Sequence, residues 1–485
     1  MQNKKPNITY NFIFNLLNQI LSVLIPCVTV PYLARTLGPS SLGEYSFAFS
    51  LVTYFSLFTN LGIGLYGQRQ IAYLRNQPRL EYSRAFWEMV IQRFFIGINS
   101  LILYFFIIVR LSDNFLLSLV LCLEIISTML DISWLFQGFE NFQIIVLRNL
   151  FVRLLSLISI FVFVRSPDDV VIYAAILSCS NLIGFASMWF AAGKYVQWVP
   201  FRILHIFSHL RGSFSLYLPQ VATQVYTVLD RTMLGIIGES NYENGYYDQS
   251  YRIINIIVMV VTALGPVLIP RISNLYSKGN MEKIQFYIGK SFSFLWLISF
   301  PIILGLISVA DIFVPVFFGP GYDRVIIILQ VFIIIIIPIG IGCNIGLQFL
   351  IPTGRENDLT KSYILGAIVN FVLNCFVISR WQALGTTMAS IAAELMVSGY
   401  QLLIVRHQLP VKSYFASAKN YIIASGIMYI CLSIMPKIDN TSLFLQLVCK
   451  ICVGGLIYFM VLLLLRDSLV FEIIKKIQAW FKIRL

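Results

Sequence analysis

The sequence has little charge. Only 12% of its 485 residues are Asp, Glu, Lys or Arg, and only three are histidine, whereas 58% are hydrophobic. A soluble domain carries about 25% charged residues. A water-soluble fold cannot bury this much apolar surface, so we predict that lipid surrounds most of the chain. The scarcity of charge therefore excludes an ordinary soluble enzyme or binding domain.

The sequence also lacks the motifs of catalytic and metal sites. It contains no Walker-type phosphate loop, no Gly-x-Ser-x-Gly motif and no His-Glu-x-x-His motif. Nearly all of its eight cysteines lie in apolar runs, and the pair Cys449 and Cys452 has no second pair to complete a metal site. No loop is long enough to fold as a catalytic domain. We predict that the protein is not an enzyme, has no metal site and binds no cofactor.

Long apolar runs are what the sequence does contain. A helix that crosses a bilayer needs about 20 mostly apolar residues. Breaks at polar, glycine and proline clusters separate fourteen such runs, at 10–35, 42–66, 85–109, 115–137, 142–164, 170–193, 213–237, 246–269, 286–309, 325–350, 360–379, 383–405, 416–435 and 442–465. We therefore predict an all-α integral membrane protein with about fourteen transmembrane helices.

Basic residues outnumber acidic residues by 35 to 22, and they are unevenly distributed. Most of them fall in the loops on the N-terminal side of the fourteen spans, whereas the opposite loops hold acids such as Asp168, Asp169 and Glu243. By the positive-inside rule, both termini are predicted to be cytoplasmic. The basic loop residues, which give the net charge of +13, then face lipid headgroups. We therefore expect membrane lipids and no nucleic acid as partners.

A short repeat indicates two related halves. The stretch ARTLGPSSLGEYSFA after the first span resembles DRTMLGIIGESNYENGYYDQ after the seventh, because both run from Arg-Thr through Leu-Gly to Gly-x-Tyr. An offset of six helices predicts a parallel repeat, with a substrate site between two bundles. We predict a six-helix bundle at 1–195, an amphipathic linker at 196–212, a second six-helix bundle at 213–410, two further helices at 411–465 and an amphipathic interfacial tail at 466–485.

Ionisable residues within the spans are candidates for function, because charge is costly in lipid. The cations lie at staggered depths, and a guanidinium matches the geometry of phosphate oxygens. We predict that these arginines line a phosphate-binding cavity: Arg35, Arg93, Arg148, Arg153, Arg231 and Arg252. The acids are candidates for ion coupling or for ion pairing: Glu124, Asp131, Asp230 and Glu394.

The acids also permit a simpler interpretation, in which they neutralise the arginines. Asp131 matches Arg148 in depth, and Glu124 matches Arg153, on spans joined by a short break. Asp131 and Glu124 are seven residues apart and are expected to share one helix face. In this alternative one of the two arginines is a structural partner, and the other remains available to a ligand.

Asp230 has a similar alternative, a salt bridge to Arg252 or to Arg35. Amide side chains in the predicted lining suit sugar hydroxyls, and the candidates are Asn15, Gln19, Gln220, Gln224, Asn255, Gln348, Asn370 and Asn374. A glycan attached to a lipid through pyrophosphate would use both arginines and amides.

The order and spacing of several short motifs resemble a known family. They include PYLARTLGPSSLGEYSFA, WLFQGFENF, LDRTMLGIIG, GYYDQSYRI, ALGPVLIPRIS, FFGPGYDRVIIILQ, LIPTGREND, GAIVNFVLN and ALGTTMASIAAEL. The chain resembles the Wzx-type oligosaccharide-unit flippases of the multidrug/oligosaccharidyl-lipid/polysaccharide exporter superfamily, which have a MATE-like fold.

The resemblance implies a function. Such flippases move undecaprenyl-pyrophosphate-linked repeat units from the inner to the outer leaflet of the bacterial cytoplasmic membrane, for capsule, O-antigen or similar polymers. It implies alternating access, a coupling cation such as H⁺ or Na⁺, and contact with other polysaccharide-assembly proteins. A drug/ion antiporter or a lipid II flippase of the same fold is the alternative. A membrane-embedded polymerase is less favoured, because every outer loop is short.

Overall fold

The structure is a computed structural model. It describes residues 8–238, 240–435, 442–472, 474, 475 and 478, and their side chains except those of 8–23, 111, 218, 219, 222, 223 and 225–227. The regular elements of these residues are helices, with no strand among them. The chain separates into two compact units, Met1–Gly245 and Tyr246–Leu485. The predicted all-α membrane fold is confirmed.

The first unit contains eight α-helices. They are α1 (Ile8–Asn60), α2 (Ile63–Leu74), α3 (Arg79–Ile107), α4 (Phe115–Leu130), α5 (Ser133–Gly138), α6 (Phe142–Phe163), α7 (Val170–Ala192) and α8 (Leu210–Ile237). Helix α4 packs on α7 and on α1, whereas α8 packs on α1 and α2. Helix α8 corresponds to the seventh predicted span, and its contacts place it in the first unit.

The second unit contains most of α9 and the remaining helices. They are α9 (Asn241–Val261), α10 (Gly265–Ser277), α11 (Met281–Phe318), α12 (Asp323–Phe332), α13 (Ile336–Gly342), α14 (Glu356–Val405), α15 (Val411–Ala416), α16 (Lys419–Ile434) and α17 (Leu443–Leu464). A short 3-10 segment joins α12 to α13, and a π-helix, Cys343–Leu350, follows α13. Residues 468–472 of the predicted tail are helical.

The fourteen predicted spans correspond to these helices. Eleven segments are long and apolar enough to cross a membrane. Two of them contain a pair of spans each, because α1 leaves helical geometry at Gly38 and α14 does so at Gln382. Gly38 adopts a φ of +75°, which a glycine reaches without a steric penalty. Both breaks lie where the sequence predicts the end of a span.

Two expectations about local structure are wrong. The fourth span is not one continuous helix, because α4 ends at Leu130 and Asp131 takes an extended conformation before α5 begins. Asp131 is therefore the residue that ends α4 and is not part of a continuous fourth helix. The segment at 196–209 contains a 3-10 turn, Phe201–Ile203, where the sequence suggests amphipathic helical spacing.

The start of the linker is not helical, because side chains of α3 form hydrogen bonds with its backbone. Trp87 Nε1 donates to the carbonyl of Gln197 at 3.0 Å, and the backbone N–H of Gln197 donates to Ser83 Oγ at 3.0 Å. Backbone groups that have such partners do not need helical ones. Trp198 and Phe207 of the linker nevertheless remain exposed, as the predicted contact with lipid requires.

Candidate functional site

Arg93 on α3 is the most deeply buried of the predicted cavity arginines, with 1% of its surface exposed. One guanidinium nitrogen donates to the backbone carbonyl of Asp131, and the other donates to Asn60 Oδ1 at 2.7 Å. Asn60 in turn donates to Gln220 Oε1 at 3.4 Å. Arg93 therefore joins α1, α3 and the start of α5 through groups that belong to the protein itself.

Arg148 on α6 lies against an aromatic ring. Its guanidinium carbon is 3.7 Å from the centre of the Phe185 ring, which is cation–π geometry. Its Nη1 donates to Asn149 Oδ1 at 2.7 Å. Arg148 also interacts electrostatically with Arg153 and with both acids predicted to neutralise the pair. This arrangement favours Arg148 as the structural partner of the two acids, and Arg153 on the same helix is half-buried.

The two acids of this region, Asp131 and Glu124, each accept a hydrogen bond from a neighbouring group. Asp131 Oδ1 accepts a hydrogen bond from the backbone N–H of Ser133 at 2.8 Å and thereby holds the turn that leads into α5. Glu124 Oε1 accepts a hydrogen bond from Asn181 Nδ2 at 3.3 Å. Asp131 therefore stabilises the turn that interrupts the predicted fourth span.

The remaining candidates of the first unit lie near the break at Gly38 in α1 and near the end of α8. Asp230 is 5% exposed and is close enough to Tyr54 for electrostatic interaction, whereas Arg35 is exposed. Arg231 is half-buried, and its backbone carbonyl accepts a hydrogen bond from Asn244 Nδ2 at 3.0 Å. Asp230 thus lies in a buried environment, as a coupling or pairing role requires.

Arg252 in the second unit pairs with a carboxylate four residues before it. Its Nε is 2.7 Å from Asp248 Oδ2, and the side chain of Asp248 is 4% exposed against 32% for Arg252. Asp248 is not among the residues that sequence reasoning selects. The i, i+4 spacing of the two residues on α9 is a signal that could have identified it.

The amides of the second unit form buried pairs. Gln348, which is on the π-helix, donates to Asn344 Oδ1 at 3.0 Å, and Asn344 also accepts from Ser291 Oγ at 2.8 Å. On α14, Asn374 donates to Asn370 Oδ1 at 3.1 Å. These side chains are almost fully buried. Such pairs stabilise the helix packing, and they hold fewer free hydrogen-bonding groups for a sugar than the sequence suggests.

Other sugar and coupling candidates are more accessible. Gln220 and Asn255 are half-buried, and Gln224 is exposed. Glu394 is half-buried and interacts electrostatically with Tyr363. The side chains of Asn15 and Gln19 lie outside the described residues. Among the residues described, no group of three or more His, Cys, Asp or Glu side chains could hold a metal ion.

The two copies of the repeated motif meet at their glycines. A Cβ on Gly43 would lie 1.8 Å from the backbone oxygen of Asn241 and 2.7 Å from the backbone nitrogen of Gly245. A Cβ on Gly245 would lie 1.9 Å from the backbone oxygen of Pro39. Only glycine permits this approach of two backbones, which is why the motif has glycine in both copies.

A family model described as polysaccharide biosynthesis protein matches residues 8–276. A putative O-antigen transporter of Escherichia coli (strain K12) is 23% identical over 412 residues, which cover 84% of this chain and 99% of that protein. Both comparisons span the elements that carry Arg93, Arg148, Arg153 and Arg252.

Two solved structures show the same fold. The structure titled "Lipid II flippase MurJ, inward closed conformation" has a TM-score of 0.75 at 14% identity, covering 94% of this chain and 99% of that chain. An inward-facing multidrug resistance MATE family transporter of the MOP superfamily has a TM-score of 0.60 at 10% identity, covering 84% of this chain and 99% of that chain. Because the family model matches more than half of this multi-pass membrane protein, the chain belongs to the polysaccharide biosynthesis protein family, with the fold of MOP superfamily transporters.

Proposed function

We propose that the protein moves undecaprenyl-pyrophosphate-linked oligosaccharide units from the inner to the outer leaflet of the bacterial cytoplasmic membrane. The observation that carries this proposal is the similarity to an O-antigen transporter over 99% of that transporter's length. The family match gives the same general role in polysaccharide synthesis. The protein acts as a transporter, with a lipid-linked glycan as cargo and with both termini in the cytoplasm.

The arginines divide into structural residues and ligand candidates. Arg93 has buried protein partners, and Arg148 is stacked on Phe185. Arg153 and Arg252 are only partly buried, so a pyrophosphate can approach them with less rearrangement. We propose Arg153 of the first unit and Arg252 of the second unit as two separate pyrophosphate contacts, with Arg35 and Arg231 as further candidates. A planar guanidinium binds two phosphate oxygens at once, which an ammonium does not.

The accessible amides complete the proposed substrate route. Gln220, Gln224 and Asn255 are the sugar contacts that the burial pattern favours. The half-buried Glu124 and the buried Asp230 are the proposed coupling residues for a cation gradient, H⁺ or Na⁺. A carboxylate held away from water changes its interaction energy strongly when a cation or a proton binds, and this can drive a conformational step.

Leaflet transfer can be measured directly in reconstituted vesicles. The purified protein is placed in liposomes that contain an undecaprenyl-pyrophosphate-linked oligosaccharide, and an added glycosidase reports the glycan that reaches the outside. We expect the unaltered protein to transfer the glycan. The transfer rate of Arg153→Ala should be lower by at least about tenfold, which corresponds to the loss of one charge-assisted contact.

The control variants separate charge from geometry. Arg153→Lys keeps the charge but loses the planar fork, so we expect partial transfer. Equal transfer by Arg153→Ala and the unaltered protein, with Arg252→Ala also active, would contradict the arginine assignment. The same vesicles with lipid II distinguish the alternative cargo, because transfer of lipid II alone would contradict the proposed oligosaccharide substrate.

A further inference from the structure

A cavity of about 280 Å³ lies at one end of the first unit. It is bordered by the part of α1 that follows Gly38, by the loop from α3 to α4 and by the end of α8. Its volume is close to the lower limit of small-molecule sites, which is about 300 Å³. The lining residues lie within 44–241 and belong to the first unit alone. The α3–α4 loop follows the third span, so the predicted topology places this cavity on the outer side of the membrane.

One wall of the cavity is a single stripe of α1. Four lining residues lie three or four positions apart and therefore share one helix face: Glu44, Phe47, Ala48 and Leu51. Seven residues of helix extend about 10 Å, so the stripe runs from a carboxylate near the outer surface to an apolar side chain below it. The end of α3 adds Ile107, which is 50% exposed. The cavity is therefore polar at the depth of the lipid headgroups and apolar at the depth of the acyl chains.

Asn114 fixes the position of the Glu44 carboxylate. Its Nδ2 donates to Glu44 Oε1 at 2.9 Å, and its Oδ1 accepts a hydrogen bond from the backbone N–H of Leu117 at 3.0 Å. The second bond caps α4 and requires the oxygen of the amide, so the nitrogen must face Glu44. An ionised carboxylate has about four positions that accept a hydrogen bond. The single bond from Asn114 therefore orients Glu44 and leaves most of its capacity to a ligand.

The polar end of the cavity is negatively charged. Glu44 is half-buried and Asp113 is exposed. Among the described residues that line the cavity, none is Lys, Arg or His. The other polar lining groups are neutral amides and hydroxyls, which include Asn114, Asn241 and Ser112. Two carboxylates without a basic residue in the same lining attract a cationic group and repel an anionic one.

We propose that this cavity binds a membrane phospholipid with a primary ammonium headgroup. Glu44 and Asp113 accept hydrogen bonds from the ammonium, and the apolar stripe contacts the upper part of an acyl chain. A primary ammonium has three N–H donors for carboxylate oxygens, and such charge-assisted bonds are strong. A quaternary ammonium keeps the charge but has no N–H, and an anionic headgroup brings no cation at all.

This site goes beyond the proposed transport function, because its ligand is a lipid of the membrane and not the cargo. The polar end alone would suit any small amine dissolved in water. The apolar wall at the depth of the acyl chains is what favours a lipid, since burial of methylene groups adds to the affinity. The ligand therefore combines an ammonium with an acyl chain about one headgroup away.

Native mass spectrometry of the full-length protein in detergent tests the preference for a headgroup. The protein is equilibrated with equal amounts of phosphatidylethanolamine, phosphatidylcholine and phosphatidylglycerol that have the same acyl chains, and EDTA removes divalent cations. The ratio of the single-lipid adducts is measured. We expect the ethanolamine adduct to exceed the glycerol adduct by roughly tenfold, the effect of one charge-assisted contact. The choline adduct should lie between the two.

Two variants connect this preference to the cavity. The double variant Glu44→Gln with Asp113→Asn removes both charges, and Gln keeps an acceptor for Asn114, so the cap of α4 is retained. Its ratio of ethanolamine to glycerol adducts should fall close to one. Asp168→Asn is the matched control, because it removes an exposed carboxylate of the same unit that does not line the cavity. This control should show the ratio of the unaltered protein.

A soluble headgroup tests the apolar half of the cavity. Glycerophosphoethanolamine has the same ammonium but no acyl chain, so it should displace the lipid only at a concentration at least about tenfold higher, the effect of burying two methylene groups. Displacement at the concentration of the lipid itself would identify a soluble amine as the ligand and overturn the proposal. Equal adducts of the three lipids on the unaltered protein, or an unchanged ratio in the double variant, would also overturn it. If the double variant does not fold, the three lipids on the unaltered protein still decide. None of these measurements involves glycan transfer, so the transport function and the lipid site can fail separately.

Discussion

At the scale of single residues, burial separates structural arginines from ligand candidates. Arg93 and Arg252 have the same chemistry, but Arg93 is 1% exposed and hydrogen-bonded to Asn60, whereas Arg252 pairs with Asp248 and its side chain is 32% exposed. A fully buried guanidinium is closed to a phosphate unless the surrounding helices move. A partly exposed guanidinium can be approached by a phosphate with less rearrangement.

Arg93→Ala is expected to destabilise the protein. The substitution removes the donors to Asn60 Oδ1 and to the carbonyl of Asp131 and leaves a cavity. Both acceptors keep a second donor, the backbone N–H of Gly64 and Trp134 Nε1, so the loss is that of two hydrogen bonds to a charged group, about 1.5–3 kcal/mol each. The melting temperature in detergent should therefore fall clearly. Arg153→Ala, on the partly exposed α6 position, is the control and should melt close to the unaltered protein. Equal melting temperatures for both variants would be incompatible with a structural role for Arg93.

The pair of Arg252 and Asp248 can be tested with a double-mutant cycle. Arg252→Gln leaves the buried Asp248 carboxylate without this guanidinium, whereas the double variant with Asp248→Asn removes both charges. We expect the single variant to lose about 3 kcal/mol of stability, and the double variant to recover a large part of it. Thermal melting of the four proteins gives the coupling energy. Additive losses would show that the two side chains do not stabilise one another.

At the scale of elements, glycines determine how closely helices approach. The contact of Gly43 with the start of α9 places two backbones so close that no Cβ fits between them. The same holds where Gly62 meets Ser213 at the start of α8. Sequence periodicity gives the length of such helices, but it gives no information about which glycine lies in a contact.

Gly43→Ala and Gly245→Ala are expected to be destabilising. Each new methyl group would lie within 2 Å of a backbone oxygen, so the backbone must move, at a cost of about 1–3 kcal/mol. Gly426→Ala on α16 is the control, because nothing lies within 4 Å of its Cβ position. Alanine in that helix should increase stability by up to about 1 kcal/mol. If all three variants melt alike, the close glycine contact is absent in the membrane.

At the scale of the whole molecule, the distribution of lysine and arginine predicts the orientation. An even number of spans places both termini on the same side, and the positive-inside rule makes that side the cytoplasm. The breaks at Gly38 and Gln382 each add a span to the eleven apolar segments. The helix α8 supplies the remaining span.

Cysteine labelling from the two sides of the membrane tests this orientation. In a protein with its native cysteines replaced, Cys at Arg75 or Arg406 should react only with a reagent that reaches the cytoplasm. Cys at Asp168 or Asp323 should react with an impermeant reagent added outside. Labelling of Asp168→Cys and Arg75→Cys from the same side would contradict the proposed orientation.

Much of the fold could be predicted from the sequence. Apolar length determined the spans, and the glycine at position 38 marked the first break, because both effects act locally along the chain. Asp131 is where local reasoning failed. An apolar period continues through it, but its side chain bonds to the backbone N–H of Ser133 and holds the turn between α4 and α5. The apolar period does not reveal that local hydrogen bond.

The sequence by itself determined that this chain is a multi-pass membrane protein and to which family it belongs, because hydrophobic length and motif order are properties of the chain. Only the tertiary structure decided which charged side chains have buried partners. Arg93 is hydrogen-bonded to Asn60, 33 residues away in the sequence, and Glu88 is hydrogen-bonded to His209, 121 residues away. Partners so far apart are brought together by helix packing, and the energy of a buried charge depends on those neighbours.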